Sequence, residues 1–146
     1  MTQAPTVIVA PSLYLLTNDD EFVLLYQKLE AALATGFIAL LQIRRKKILS
    51  LPDGESHLYE EARQIVELAK MHNVPVVIND NIKLAAKLGV GVHLGQQDGD
   101  VVDAKHELQP NQIIGRTCHG KADFVKEAKK EGASYAAMGA IFSSNT

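Results

Sequence analysis

Residues 37–47 read FIALLQIRRKK. The first seven, FIALLQI, have the apolar and β-branched character of a buried strand, and they run directly into Arg44, Arg45, Lys46 and Lys47. Other short apolar runs flank this one: SLYLLT (12–17), VPVVIN (74–79), GVHLG (91–95), QIIGRT (112–117) and SYAAMG (134–139). Between them lie longer amphipathic stretches, predicting helices at 19–35, 56–72, 82–88, 100–107 and 121–131. Strands alternating with helices, the strand first in each pair, predict βα units around a parallel sheet.

The helix boundaries carry their own signals. Asn18, Asp19 and Asp20 suit the start of the first helix, where a short polar side chain and negative charge meet free N–H groups. Gly36, Gly89 and Gly132 sit where helices stop, as residues able to turn left-handed. Leu58, Ala62, Ile65, Val66 and Ala69 form the apolar stripe of the second helix, and Glu60, Glu61, Arg63, Gln64 and Glu67 its expected solvated face. Two architectures fit, a doubly wound open sheet and a (β/α)8 TIM barrel. No G-x-G-x-x-G follows the first strand, which weakens the dinucleotide-binding form of the open sheet. The count of six strands falls two short of a closed barrel, so an incomplete barrel of about six βα strands is expected.

Bulk composition narrows the classes. A chain of 146 residues, 47% hydrophobic, with no linker, repeat or low-complexity segment, predicts a single domain over residues 1–146. Fifteen Lys and Arg against 17 Asp and Glu leave a net charge of −2, so no global basic field is present to recruit nucleic acid. The cations of residues 44–47 are a local feature. The single cysteine, Cys118, excludes an internal disulfide and paired-cysteine zinc sites. No apolar run approaches the roughly 20 residues that span a bilayer. The expectation is a soluble, cytoplasmic protein without membrane or nucleic-acid partners.

In parallel α/β folds ligands sit beyond the C-terminal ends of the strands. The polar residues there are Gln42, Arg44 and Lys46; Asn79 and Asp80; Gln96 and Asp98; Thr117 and His119; and Ser143, Ser144, Asn145 and Thr146. An extended backbone would send Gln42, Arg44 and Lys46 to one side, leaving Arg45 and Lys47 on the other. A planar guanidinium and a compact ammonium together suit phosphate oxygens. Taken alone, such a cluster reads more readily as a solvated strand end. Its company changes the reading: Asp80 and Asp98 end consecutive strands, and a Mg2+ held by one or two carboxylates and completed by phosphates would reconcile both charge clusters. The competing reading makes each aspartate the cap of the helix that follows. His93, inside GVHLG, is expected to be hydrogen-bonded within the barrel, and Cys118 and His119, adjacent in an extended segment, are expected to point apart.

These motifs together resemble the thiamine-phosphate synthase family. In the family's order come LYLLT for its first strand, QIRRK for Q-L-R-E-K, VVIND for I-I-N-D and GVHLGQQD for G-V-H-L-G-Q-x-D. IIGRTCH follows for I-I-G-x-S-x-H, then MGAIFSSNT for G-P-[IV]-F-P-T-x-T. The resemblance implies a (β/α)8 barrel and a transferase that joins hydroxymethylpyrimidine diphosphate to hydroxyethylthiazole phosphate, giving thiamine phosphate and diphosphate. It further implies that Gln42, Arg44, Lys46, Asn79 and Thr117 hold the pyrimidine diphosphate and that Asp80 and Asp98 bind Mg2+. Ser144, Asn145 and Thr146 would begin the thiazole-phosphate site.

The departures are equally specific. Arg45 replaces the pattern's Glu, Thr117 its Ser, and Ala140 and Ser143 two prolines. The family's diphosphate-binding Lys follows the T-x-T position, beyond Thr146, as do two further strands. The chain is therefore expected to be C-terminally truncated, with exposed sheet edges that predict a homo-oligomer or a completing partner. Two alternatives stand beside the synthase. One is the thiazole tautomerase of the same family, against which Ala140 argues, because that branch carries its acid/base His there. The other is a non-catalytic module that binds phosphorylated ligands.

Overall fold

The computed structural model describes residues 12–140 and 142–143. Among the described residues six strands alternate with five helices: β1 (Leu13–Leu16), α1 (Phe22–Ala34), β2 (Ile38–Ile43), α2 (Gly54–Met71), β3 (Val76–Asn79), α3 (Ile82–Leu88), β4 (Gly91–Leu94), α4 (Val101–Glu107), β5 (Ile114–His119), α5 (Ala122–Glu131) and β6 (Tyr135–Met138). A 3-10 turn, Lys47–Ser50, precedes α2. The strands form one parallel sheet in the order β1-β2-β3-β4-β5-β6.

That sheet curls. Strands spaced about 4.8 Å apart would put the outer two of a flat six-stranded sheet about 24 Å apart. Yet Tyr14 on β1 and Tyr135 on β6 join hydroxyl to hydroxyl, 2.5 Å apart. The result is a curled half-barrel with helices outside, matching the expected incomplete barrel.

Alternation along each strand gives the two faces different chemistry. The outward side chains Leu41, Ile43, Ile78, Val92, Leu94 and Ile114 are buried against the helices and form the core. Leu25, Leu29 and Leu33, one helical turn apart, supply α1's share, and the stripe expected on α2 is buried as a unit. Each buried Leu, Ile or Val among them contributes roughly 1.5–3 kcal/mol by leaving water. The inward face carries Tyr14, Gln42, His93, Thr117 and Tyr135. Gly115 pairs with His93 on one side and Tyr135 on the other. A Cβ at Gly115 would collide with the Tyr135 ring, so glycine here is what lets that ring lie across β5.

Gly36, Gly89 and Gly132 take positive φ of 77°, 69° and 95° at helix ends, as their positions predict. The start of α1 differs from expectation. Its cap position is Glu21, with no side-chain capping bond. Asn18 instead accepts from the Asp20 N–H (3.1 Å), Asp19 accepts from the Lys47 N–H (3.1 Å), and Asp20 pairs with Lys28 (2.7 Å). The three polar residues organise the β1–α1 loop rather than the helix terminus, because that loop must meet the chain leaving β2.

Candidate active site at the C-terminal ends of the strands

Strand β2 ends at Ile43, and by Lys46 the backbone is already helical (φ −70°, ψ −38°). The strict alternation expected of Gln42, Arg44 and Lys46 therefore stops short of Lys46. Of the four cations only Arg45 is set apart: Arg44, Lys46 and Lys47 are exposed, whereas Arg45 is 8% exposed. Arg45 forks onto Glu61, with Nε to Oε2 at 3.0 Å and Nη2 to Oε1 at 3.3 Å. Its Nη1 donates to the carbonyls of Asn18 (2.7 Å) and Asp20 (2.6 Å). Glu61, expected on a solvated face, is instead the partner that lets Arg45 be buried. Lys47 contributes its backbone N–H to the same junction.

Gln42 is 3% exposed and donates through Nε2 to the Tyr14 hydroxyl at 2.6 Å. The Arg44 backbone N–H donates to Thr17 Oγ1 at 2.8 Å, which anchors the strand end while its side chain stays free toward solvent.

The aspartates meet one another. Asp80 has a positive φ of 61° directly after β3. Its Oδ2 accepts from Asn79 Nδ2 (3.0 Å) and its Oδ1 from the Gly95 N–H (3.2 Å). Both carboxyl groups lie beside Gly95, where a Cβ would collide with that of Asp98. Neither aspartate caps a helix: Asn81 caps α3 by accepting from the Leu84 N–H (2.9 Å), and Asp100 holds the cap position of α4. Partial desolvation of this exposed side chain, and next the charge of Asp80, push the Asp98 carboxyl above its ordinary value, while Lys46 and Arg116 draw it down. Lys46 and the aspartate pair thus share one electrostatic neighbourhood.

Two hard oxygen donors crowded together, with cations near, fit a divalent ion such as Mg2+. Among the described residues no three His, Cys, Asp or Glu side chains gather as a metal cluster. An ion held here would take two protein carboxylates and complete its shell with water or phosphate, which is the habit of Mg2+.

Thr117 belongs to a hydrogen-bond chain inside the half-barrel. Its Oγ1 lies 2.8 Å from His93 Nε2, His93 Nδ1 lies 2.7 Å from the Tyr135 hydroxyl, and Tyr135 continues to Tyr14 and so to Gln42. Burial lowers the His93 pKa, favouring the neutral ring, in which one nitrogen donates to its hydroxyl partner and the other accepts. His93 is thus hydrogen-bonded within the barrel, as its place in GVHLG suggests. Gln96 donates to the Thr117 carbonyl at 2.5 Å. Tyr14 and Tyr135 lie within their strands, not among the polar residues at the strand ends. A polar-tipped ring in an otherwise apolar strand was the available signal, since a buried tyrosine hydroxyl needs a partner. Cys118 is fully buried and His119 exposed, on opposite sides. Ser144, Asn145 and Thr146 lie outside the described residues.

A curled parallel sheet with amide, hydroxyl, cationic and paired carboxylate groups at its strand ends is the arrangement of a (β/α)-barrel protein. Residues 13–146 match the family of thiamine monophosphate synthase, TMP-TENI, and the chain belongs to that family. Its structure is similar to that of a thiamine phosphate pyrophosphorylase from Pyrococcus furiosus, with 28% identity and a TM-score of 0.73. The match covers 90% of this chain and 61% of that one, so the chain spans less than two thirds of its solved relative.

Proposed function

We propose that this site binds hydroxymethylpyrimidine diphosphate and serves the condensation with hydroxyethylthiazole phosphate that yields thiamine phosphate and diphosphate. The observation that carries this reading is the Asp80–Asp98 pair, which is free of any capping role and shares its surroundings with Lys46. Mg2+ bound by these carboxylates would neutralise charge on the diphosphate. Arg44 and Lys46, exposed at the mouth, supply further positive charge to that group. Gln42, Asn79 and Thr117 offer neutral polar contacts from β2, β3 and β5.

In the reaction the C–O bond to diphosphate breaks, its electron pair leaving on the diphosphate oxygen. The thiazole nitrogen lone pair forms the new C–N bond and the ring becomes cationic. The protein's task is to stabilise the departing anion and hold the second substrate close. No side chain need transfer a proton.

Calorimetry with the pyrimidine diphosphate and Mg2+, together with an assay of diphosphate release, tests the reading. Binding that is lost in Arg44→Ala and in Asp80→Ala is expected. Undiminished binding in both variants overturns the site assignment. Binding without diphosphate release would leave a ligand-binding module and overturn the catalytic part.

A further inference from the structure

Residues 95–99, GQQDG, carry Asp98 between β4 and α4. Arg116 on β5 pairs in register with Leu94, on the outward face of the sheet, and is 9% exposed. It enters no ion pair among the described residues. A guanidinium buried without a carboxylate partner is costly, so its hydrogen bonds must account for its place.

Those bonds go to the two ends of the loop. Arg116 Nη1 donates to the Gly95 carbonyl at 3.0 Å and to the Gly99 carbonyl at 2.6 Å. The Gly95 carbonyl also accepts from the Asp98 N–H at 3.3 Å, and the Gly95 N–H donates to Asp80 Oδ1 at 3.2 Å. Gly95 is therefore the junction of the aspartate pair: one side of it holds Asp80, and the other, tied to Arg116, carries the loop of Asp98. Gly99, at φ 114°, lets the backbone turn so that its carbonyl faces the same nitrogen.

We propose that Arg116 is a positioning residue for the cation site: by spanning the 95–99 loop it holds Asp98 against Asp80 in the spacing a divalent ion requires. Its fixed positive charge also offsets the repulsion of the two carboxylates before an ion arrives. This rests on the reading of Asp80 and Asp98 as the cation ligands. Groups that orient metal ligands without touching the metal typically change affinity about 10- to 100-fold when removed.

The test is Mn2+ binding to the chain, followed by electron paramagnetic resonance, with chemical unfolding measured separately on each variant. Asp98→Asn is expected to abolish binding. Arg116→Met, which keeps the apolar stem, is expected to weaken binding at least about tenfold in protein that remains folded. A purely structural role would lower the unfolding midpoint and leave the Mn2+ affinity of the folded protein at the wild-type value; that result overturns the proposal. If Arg116→Met does not fold, Arg116→Lys carries the test. It keeps the charge on a compact amine without the fork, and an affinity about threefold or more below wild type is expected. Wild-type affinity in Arg116→Lys would then overturn the proposal. Mn2+ binding unmoved by Asp98→Asn overturns the aspartate reading and this proposal with it. Loss in Asp98→Asn beside full retention in Arg116→Met overturns this proposal alone.

Discussion

The hydroxyls of Tyr14 and Tyr135 lie 2.5 Å apart although their strands stand at opposite ends of the sheet order. The contact closes the inward face of the half-barrel across its opening. Tyr135 is also the partner of His93, so its hydroxyl holds two neighbours and that of Tyr14 links to Gln42. Tyr135→Phe leaves His93 Nδ1 without a partner and Tyr14→Phe leaves the buried Gln42 Nε2 without one, so each should cost about 1–3 kcal/mol. Urea unfolding of both single variants and the double variant checks this. The expected coupling is about 0.5–1.5 kcal/mol, and additive effects would show the two hydroxyls to be independent.

His93 should give the fold a dependence on pH. Burial holds its pKa below the ordinary 6.5, so the unfolded chain binds the proton more readily. This contribution is complete above about pH 6.5 and is lost as pH falls through the folded-state value. Unfolding midpoints measured from pH 7.5 downward should decline over that window, and His93→Gln should flatten the decline. An unchanged slope in the variant would assign the effect elsewhere.

Adjacent arginines should behave oppositely. Arg45→Met strands the Glu61 carboxylate and frees two carbonyls, and is expected to destabilise by about 3 kcal/mol. Arg44→Ala, at an exposed position, should move stability by less than about 0.5 kcal/mol while weakening binding of the pyrimidine diphosphate. Parallel unfolding and calorimetry separate the two roles. Equal destabilisation by both substitutions would contradict the division.

Asp98→Asn should stabilise the cation-free protein while removing its response to metal. Partial desolvation and the neighbouring Asp80 raise the carboxyl's pKa, so the folded state holds the proton more tightly than the unfolded one. The ionised form therefore weakens the fold at neutral pH, and the penalty fades as pH falls below the folded-state value. A higher melting temperature is expected for the variant at pH 7, with the gap narrowing in acid. Saturating Mn2+ should raise the wild-type melting temperature and leave that of the variant in place. A variant that melts lower at pH 7 would refute the repulsion argument.

Much of the fold is legible residue by residue. The run FIALLQI carries its strand, Leu58, Ala62, Ile65, Val66 and Ala69 their buried stripe, and Gly36, Gly89 and Gly132 their left-handed stops. These features depend on local period and backbone freedom, which composition at neighbouring positions reveals. The candidate site is legible by residue type at strand ends, where Asp80 and Asp98 indeed meet.

Partnership is a different matter. That Arg45 is buried while Arg44 and Lys46 face out follows from Glu61, which arrives from α2 sixteen residues later. That Tyr14 touches Tyr135 follows from the curl of the whole sheet, across a separation of 121 residues. Arg116 occupies the variable position of IIGRTCH, and its partners, the Gly95 and Gly99 carbonyls, come from a loop about twenty residues earlier. By itself the sequence determined the alternation of strand and helix and the chemical types offered at the strand ends, because those rest on side-chain period and local conformation. Only the tertiary structure decided which cations are spent on the fold and which stay exposed, because that depends on carboxylates and carbonyls brought near from distant parts of the chain.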